Sequence, residues 1–341
     1  MKQQASAIEY YHLVREFQEL VGGRIDKIYQ EDEYFLFQIY TGQRRVGLAI
    51  ELPRVAYITE NKPSFDKPKG FCMFLRKRLQ KGRITAIKQL RFDRVLKMVV
   101  EVFDTKYHVY VELFGKGNLL VCDGTDKIIS AYDNIVYKDR SLRGGVVYEP
   151  PPEQPDTAKI TLEEFSALCE KEDVERVLAT TLGLGGEYAS VVVGETLEET
   201  YKNLHGLLET IDPCYDEKGA YLIGDGEKTE TFSQAISAVL DPAREKSKKQ
   251  DKLQTVSKAK NKLEVRLKAQ EKQIRKMEEQ AVVEQRKGEL LYEKYQEFSR
   301  LLTEARADRK NLSDEAFKKK YEALSFVIKA DKQEFVVEVP Q

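Results

Sequence analysis

The sequence predicts an α+β protein of several domains, and three observations carry that prediction. Short apolar segments alternate with polar turns over most of the region up to residue 150, which is typical of antiparallel strands. Helical spacing of apolar residues replaces this pattern after residue 156. A length of 341 residues is too great for one ordinary core. We therefore predict a β-rich domain at 1–155, a helical domain at 156–240, an arm at 241–310 and a small tail at 311–341.

The first predicted element is an amphipathic helix from about Ser6 to Val21. Apolar residues recur along it every three or four positions, and Gly22-Gly23 supplies a stop. Ser6 and Glu9 have the spacing of a capping box, in which the glutamate reaches back to the N–H of the capping serine. The local sequence favours this structural interpretation of Glu9.

Antiparallel hairpins are predicted next, with a short helix between two groups of strands. The predicted strands are 24–29, 34–40, 45–51, 56–59, 95–103, 107–114, 118–122 and 128–134, with strand sequence resuming at Ile84. In the helix at 71–79 the apolar residues share one face, so we expect Arg76, Lys77 and Arg78 to point outward.

The helical domain is predicted to contain two short helices, at 174–180 and 187–193, joined by a glycine hairpin. These elements resemble a helix-hairpin-helix motif, in which Gly183, Gly185 and Gly186 would let a phosphate approach backbone N–H groups. Glu187 at the start of the second helix would weaken anion binding. A purely structural pair of helices therefore fits the same sequence equally well.

A long helix is predicted to begin at Asp241-Pro242. From 253 to 281, mostly apolar residues keep a strict spacing of three and four, with Lys260 and Gln270 as exceptions, which indicates a coiled-coil seam. If it continues to about Arg306, the helix would be ~95 Å long at 1.5 Å per residue. An arm of this length is expected to need a partner helix. The tail is predicted to hold one short helix and a strand at 334–339.

The net charge of −1 hides a strong local asymmetry. Between Lys67 and Arg94 there are ten basic residues and one acidic residue, Asp93. Between Asp241 and Gln280 there are 13 basic and 7 acidic residues. Basic clusters on an otherwise compensated chain suggest a polyanionic partner, with nucleic acid as the first candidate.

Several kinds of chemistry and location find no support in the sequence. The three histidines are isolated from one another, and Gly115-Lys116-Gly117-Asn118 lacks phosphate-loop spacing and is predicted to be a hairpin turn. The four cysteines lie far apart, which predicts reduced, buried thiols and neither zinc nor disulfides. No cofactor or metal is expected. Without a secretory leader or an apolar run of roughly 18 residues, the protein is predicted to be cytoplasmic.

The segment Arg91-Phe92-Asp93-Arg94 is the local feature most suggestive of nucleic-acid contact. In an extended chain neighbouring side chains point to opposite faces, but at a turn both Asp93 and Arg94 can face a cleft. An arginine binds phosphate or a guanine edge, and an aspartate accepts from an amino group such as cytosine N4. The alternative is a turn aspartate beside a solvated arginine.

Several ordered motifs together resemble the NFACT family of ribosome quality control factors of the RqcH/NEMF type, also called fibronectin-binding protein A N-terminal domain proteins. The motifs are the opening helix MKxxxSAxE with VGGRIDKIY, then FCMFLRKRLQKGRI, ELFGKGNLLVCD, SLRGGVVYEPPP, LGLGGEYA and KGELLYEKYQE. The resemblance implies an NFACT-N domain distantly similar to the N-terminal domain of formamidopyrimidine-DNA glycosylase. A helix-hairpin-helix domain, a coiled coil and a middle region would follow it.

The same resemblance implies a function in translation. Members bind the large ribosomal subunit bearing a stalled peptidyl-tRNA and recruit alanyl-tRNA for mRNA-independent C-terminal tailing. The ribosome forms the peptide bond, so no enzyme activity is expected. The Asp-Arg pair that the family uses for tRNA falls on Asp93 and Arg94, and a functional aspartate of the family falls on Glu9. From charge alone, we also expect Arg76, Lys77 and Arg78 to contact a nucleic-acid backbone.

Family members usually continue with a returning coiled-coil helix and an NFACT-R RNA-binding domain. The chain is therefore expected to be a front portion whose arm pairs with a missing C-terminal segment, a split partner or a second copy. Two alternatives are weaker. A DNA-binding, glycosylase-like protein would use a processed N-terminal proline, but the sequence begins Met1-Lys2 and lacks a zinc finger. A fibronectin-binding surface adhesin would need a secretion or anchoring signal.

Overall fold

A nine-stranded antiparallel sheet is the main element of the protein, and it confirms the predicted α+β class. The computed structural model describes residues 4–170, 172–322, 327–331 and 334–338. The chain divides into two units, 1–249 and 250–341. The strands of the sheet are β1 Arg24–Glu31, β2 Tyr34–Tyr40, β3 Arg45–Glu51, β4 Val55–Thr59, β5 Arg83–Gln89, β6 Val95–Val102, β7 Thr105–Glu112, β8 Asn118–Asp123 and β9 Ile128–Ala131.

The sheet consists of two meanders joined side by side. Its strand order is β4-β3-β2-β1-β5-β6-β7-β8-β9, and β1 meets β5 where Arg24 lies opposite Arg83. Helix α2, Gly70–Leu79, connects the two meanders. Five of the seven residues in each of β2 and β3 are buried, in consecutive runs as expected of strands covered on both faces. The predicted turn at Gly115-Lys116-Gly117 joins β7 to β8.

Helix α1, Ala7–Glu16, continues into a single 3-10 turn at Phe17–Leu20. Glu9 accepts a hydrogen bond from the Ser6 N–H at 2.6 Å, so the predicted capping box is present. The apolar side chains of α1 are buried against the sheet, as the predicted amphipathic pattern requires.

The helical segment packs into the core of the sheet and has no separate core of its own. Its elements are α3 Leu162–Cys169, α4 Val174–Arg176, a π-helical turn Val177–Thr181, α5 Gly186–Val192 and α6 Leu197–Glu209. Two short strands, β10 Ile135–Val136 and β11 Ser141–Leu142, precede this segment, and three more, β12 Cys214–Tyr215, β13 Ala220–Tyr221 and β14 Glu227–Lys228, follow α6. Phe165, Leu178 and Leu204 belong to the same buried cluster as the sheet residues Phe37 and Ile50. The first two predicted domains therefore share one hydrophobic core.

Hydrogen bonds between side chains and main chain fix α6 against α1. The His12 ring bonds through Nε2 to the carbonyl of Leu207 at 2.9 Å. Arg15 Nη1 donates to the carbonyl of Leu208 at 3.1 Å. These bonds also satisfy two carbonyls in the last turn of α6, where the helix itself supplies no donor.

Acidification is expected to weaken the first unit through His12. Burial lowers the pKa of the buried His12 from 6.5 to about 4, against the opposing effect of the Leu207 carbonyl. Between these values the unfolded chain binds a proton that the folded chain does not, so stability falls as the pH drops. We expect a loss of about 2 kcal/mol in the free energy of unfolding between about pH 7 and pH 5. Urea denaturation at both pH values measures it.

The matched variant is His12→Gln, whose amide keeps a donor for Leu207 but does not titrate. The difference between the wild type and this variant isolates His12 from the carboxylates that also titrate. An identical loss of stability in both proteins would show that His12 is not the group responsible.

The long helix α7 begins earlier than predicted. It runs from Phe232 to Glu293, so Pro242 lies inside it and does not start it. Glu16 accepts from the N–H groups of Phe232 at 2.7 Å and Ser233 at 2.9 Å, and thereby caps the helix. The predicted start at Asp241-Pro242 is wrong because this cap comes from a residue more than 200 positions away.

We call residues 232–248 the root of α7. The side chain of Asp241 is buried and accepts from Tyr57 Oη and Thr59 Oγ1, each at 2.7 Å. Arg244 forms an ion pair with Glu51 and lies over the ring of Tyr34. The root is therefore part of the first unit, held to the edge of the sheet by charge and hydrogen bonds.

The second unit contains the rest of α7 and a small folded tail. Its predicted seam residues are exposed, including Leu263 at 66 % and Ile274 at 54 %. The helix is interrupted at Lys294, so the condition for a single helix of ~95 Å, continuation to about Arg306, is not met. Coiled-coil pairing of the seam stays a prediction.

The tail folds around a small apolar cluster formed by Ala305, Phe317 and Tyr321. These residues belong to α8, Tyr295–Asn311, and α9, Asp314–Glu322. The predicted strand at 334–339 corresponds to β16, Glu334–Glu338, which pairs with β15, Val327–Asp331, to form a hairpin that the sequence did not predict. Val339 lies outside the described residues.

No helix in the described ranges is both long enough and apolar enough to cross a membrane. The four cysteines are free, and three of them are buried while Cys169 is half-buried. Over the same ranges no group of histidine, cysteine and carboxylate side chains is arranged to hold a metal ion.

Candidate nucleic-acid interface

The predicted Asp-Arg pair follows a tight turn between β5 and β6. Arg91 and Phe92 both have left-handed backbone conformations, with φ of 51° and 50°. The Leu90 N–H donates to the Val95 carbonyl at 2.9 Å and closes this turn. Two successive left-handed residues that are not glycine are unusual, and such strain often marks a functional segment.

Asp93 and Arg94 use their side chains differently. The Asp93 carboxylate accepts from the Arg94 N–H at 2.6 Å. The Arg94 guanidinium instead reaches Gln4, where Nη1 donates to Oε1 at 2.9 Å. Both side chains are half-buried. The turn therefore prevents a simple ion pair between these neighbours and leaves two polar groups at the N-terminal end of α1.

Gln89 holds this turn against α1. Its Nε2 donates to the carbonyl of Ala7 at 2.8 Å and to the carbonyl of Asp93 at 3.0 Å. The ring of Phe92 is buried and lies 5.5 Å from the ring of Tyr11. Sequence reasoning missed Gln89, because nothing local distinguishes a glutamine at the end of a strand from a solvated one.

The glycine hairpin meets the same end of α1. The Gly183 carbonyl accepts from the Ala7 N–H at 2.9 Å. Gly183 has φ of +70°, and a Cβ built there would lie 2.8 Å from the Cβ of Ala7, so only glycine fits without displacement. Gly185 also has a positive φ, and its N–H donates to the Ala179 carbonyl at 3.0 Å, while Gly186 is the first residue of α5.

These contacts give the hairpin a structural role in docking the helical segment onto α1. Phosphate contact at Gly183, Gly185 and Gly186, and the assignment of this segment as a helix-hairpin-helix domain, stay predictions.

Glu9 lies beneath this site and is 1 % exposed. Besides the Ser6 N–H, its carboxylate accepts from the Tyr188 hydroxyl at 2.8 Å, and that hydroxyl accepts from the Leu222 N–H at 3.0 Å. Burial and the nearby Glu9 charge raise the pKa of Tyr188, so its hydroxyl remains a donor. Glu9 therefore positions α1 against α5 and does not present its carboxylate to solvent.

The three consecutive basic residues of α2 lie on another surface, next to β1. The expectation that all three point outward is wrong. Arg76 is half-buried and donates through Nε to the Ile28 carbonyl at 2.6 Å, and the Nε of Arg78 is buried as well. Lys77 alone of the three is exposed. The reason is that α2 packs on β1, which turns the neighbouring side chains toward the strand.

The N-terminal end of α1 is thus the place where Glu9, Asp93, Arg94 and the glycine hairpin lie close together. A family model of the NFACT N-terminal and middle domains matches residues 7–333. The chain belongs to the NFACT family. This confirms the resemblance that the ordered sequence motifs indicate.

Curated relatives of this NFACT protein are named as ribosome quality control factors. The archaeal Rqc2 homolog aRqcH of Methanocaldococcus jannaschii is 26 % identical over 94 % of the chain and 54 % of the relative. The Rqc2 homolog RqcH of Streptococcus pneumoniae is 27 % identical over 82 % of the chain and 56 % of the relative. The ribosome quality control complex subunit 2 of Saccharomyces cerevisiae is 30 % identical over 44 % of the chain and 14 % of the relative. The chain spans about half the length of the two prokaryotic relatives.

Two solved structures share the fold. The N-terminal part of the fibronectin/fibrinogen-binding protein from Streptococcus suis has a TM-score of 0.61 and 23 % identity, and covers 68 % of this chain and 97 % of its own. The fibrinogen-binding protein from Staphylococcus aureus gives a TM-score of 0.61 and 21 % identity, over 69 % of this chain and 98 % of its own. At this level of identity the likeness shows the fold alone.

Proposed function

We propose that this NFACT protein acts in ribosome quality control, by binding the obstructed large ribosomal subunit with its peptidyl-tRNA and recruiting alanyl-tRNA for C-terminal tailing of the stalled chain. The ribosome would form the peptide bond, so the protein would position tRNA without acting as an enzyme. Such a role places it in the cytoplasm. The names of its relatives support the quality control role.

The observation that carries the tRNA part of the proposal is the polar site at the N-terminal end of α1. Arg94 donates to a neutral amide, that of Gln4, and no ion pair joins it to a carboxylate of the described residues. A guanidinium in this state keeps most of its charge and hydrogen-bonding capacity for a phosphate or base edge. Gln89 and Gly183 fix the backbone on either side, so the site is organised before a ligand arrives.

Replacing Asp93 and Arg94 with alanine is expected to abolish tRNA enrichment without abolishing ribosome binding. The double variant removes the guanidinium and frees the backbone after the strained turn. The measurement is sequencing of RNA that copurifies with the tagged protein. In the wild type we expect large-subunit rRNA and alanine tRNA, with the tRNA reduced at least tenfold in the variant, the order of discrimination that one or two base-edge contacts provide.

The matched control is Lys138→Ala/Asp139→Ala, which removes a neighbouring basic and acidic pair at an exposed position. It should retain both RNAs. Equal tRNA enrichment in all three proteins would refute the assignment of Asp93 and Arg94. If the wild type enriches no RNA at all, the proposal that this protein binds RNA is refuted.

A further inference from the structure

A cluster of positive charge surrounds the ring of Tyr29 on β1. The Nζ atoms of Lys27 and Lys62 lie 5.4 and 5.1 Å from the ring centroid, and the Cζ of Arg76 lies 5.5 Å from it. The three residues come from β1, from the loop before α2 and from α2 itself. We call these four residues the Tyr29 cluster.

The cations of the Tyr29 cluster repel one another. All lie within 5.5 Å of the same centroid, so any two are within about 11 Å, roughly one Debye length at 0.1 M salt. Among the described residues no carboxylate forms an ion pair with Lys27 or Lys62. An external anion would relieve this repulsion.

Three of the four acidic residues of β1 and its turn are engaged in ion pairs elsewhere, and the fourth, Glu33, is exposed in the turn. Asp26 pairs with Arg45 at 2.9 Å, Glu31 with Lys248 at 2.6 Å, and Asp32 lies 3.9 Å from Lys69. These three carboxylates are paired with other basic residues, so they do not neutralise the cations around the Tyr29 ring. The positive charge of the Tyr29 cluster is therefore left without compensation from its own strand.

The aromatic part of the cluster is held in place. The Tyr29 ring stacks on Phe65 with centroids 4.8 Å apart and planes within 17°, and both rings are half-buried. The bond from Arg76 to the Ile28 carbonyl fixes the guanidinium beside the ring. Lys27 and Lys62 are exposed, so their ammonium groups are accessible to a ligand.

We propose that the Tyr29 cluster is a binding surface for single-stranded RNA, in which Lys27 and Lys62 turn to the phosphates and leave the ring face opposite Phe65 to a base. The proposal rests on the proposed function for its class of partner, and it adds a surface that the three α2 residues alone do not define. Cations spread around a fixed, partly exposed aromatic ring are the combination that single strands require, because phosphates meet the charges while a base meets the ring. An acidic peptide would use the charges but not the ring.

The test is the salt dependence of binding to a 20-residue oligouridylate, followed by fluorescence anisotropy. The variant is Lys27→Gln/Lys62→Gln, which spares the structural bond of Arg76. Two lost phosphate contacts should lower the slope of log affinity against log salt by about 1.4 and weaken binding roughly tenfold at low salt. Lys116→Gln/Lys138→Gln removes the same charge from exposed positions elsewhere and should change neither quantity.

A second variant, Tyr29→Leu, separates stacking from charge. It should weaken binding several-fold while the salt slope stays at the wild-type value. Thermal unfolding of each variant checks that the fold is intact. An unchanged slope and affinity in Lys27→Gln/Lys62→Gln would overturn the proposal, as would competition by polyglutamate as effective as that by oligouridylate.

This test is independent of tRNA selection. The Asp93→Ala/Arg94→Ala variant should bind oligouridylate as tightly as the wild type does. The oligouridylate result for the Tyr29 cluster therefore does not depend on whether the Asp93→Ala/Arg94→Ala variant loses tRNA enrichment.

Discussion

Replacing Arg140 with alanine is expected to lower the free energy of unfolding of the first unit by about 3–5 kcal/mol. Arg140 and Glu112 form a buried bidentate pair, with Nη1 to Oε1 at 2.5 Å and Nη2 to Oε2 at 3.1 Å. The Tyr148 hydroxyl also donates to Glu112 at 3.0 Å. Without Arg140 the Glu112 carboxylate would stay buried with one neutral donor, so the cost is that of an uncompensated charge.

The informative control is the double variant Glu112→Leu/Arg140→Met. Removing both charges relieves the penalty, so this protein should recover most of the stability that Arg140→Ala loses. Urea denaturation followed by circular dichroism measures all three proteins. If the double variant is as unstable as Arg140→Ala, packing and not charge is responsible.

Replacing Asp241 with alanine should cost about 3 kcal/mol and should act on the root of α7. The Asp241 carboxylate accepts from Tyr57, Thr59, Asn61 and Ser237, the last two at 3.0 and 2.5 Å. The Tyr57 and Thr59 hydroxyls are buried and would be left without this acceptor. Hydrogen exchange should show the largest loss of protection at residues 232–240.

Asp225→Ala is the matched control, since Asp225 is exposed and belongs to the same unit. Its unfolding free energy should stay within about 0.5 kcal/mol of the wild type. Asp241→Asn should fall between the two, because its amide keeps one accepting oxygen. Uniform loss of protection across the sheet in Asp241→Ala would contradict a local role at the root.

The elements that the sequence predicted well are those whose signals are local. Strands 34–40 and 45–51 match the observed bounds because their composition and flanking turns mark them without outside help. The capping box of α1 is likewise encoded by Ser6 and Glu9 alone. The sequence motif identified Asp93 and Arg94 as a candidate pair. Only the fold brings them to the end of α1 that carries Glu9.

The elements that the sequence did not reveal depend on distant partners. The start of α7 is set by Glu16, and the division between units falls at 249 inside a continuous helix, where no composition change marks it. The role of Gln89 depends on α1, which lies 82 positions earlier in the chain. The Tyr29 cluster combines three segments whose charges look independent in one dimension. Contacts between residues so far apart in the chain produce no periodic pattern in the sequence, so they could not be predicted from it.

The attachment of the root to the sheet edge has a consequence for synthesis of the chain. Tyr57 and Thr59 on β4 are translated about 180 residues before Asp241, which accepts their hydrogen bonds. Glu16 is separated by an even longer stretch of chain from the helix that it caps. The sheet meanders can form early, but their edge remains open until the root has been translated. Until then the edge strand β4 lacks its covering helix and is open to pairing with other chains.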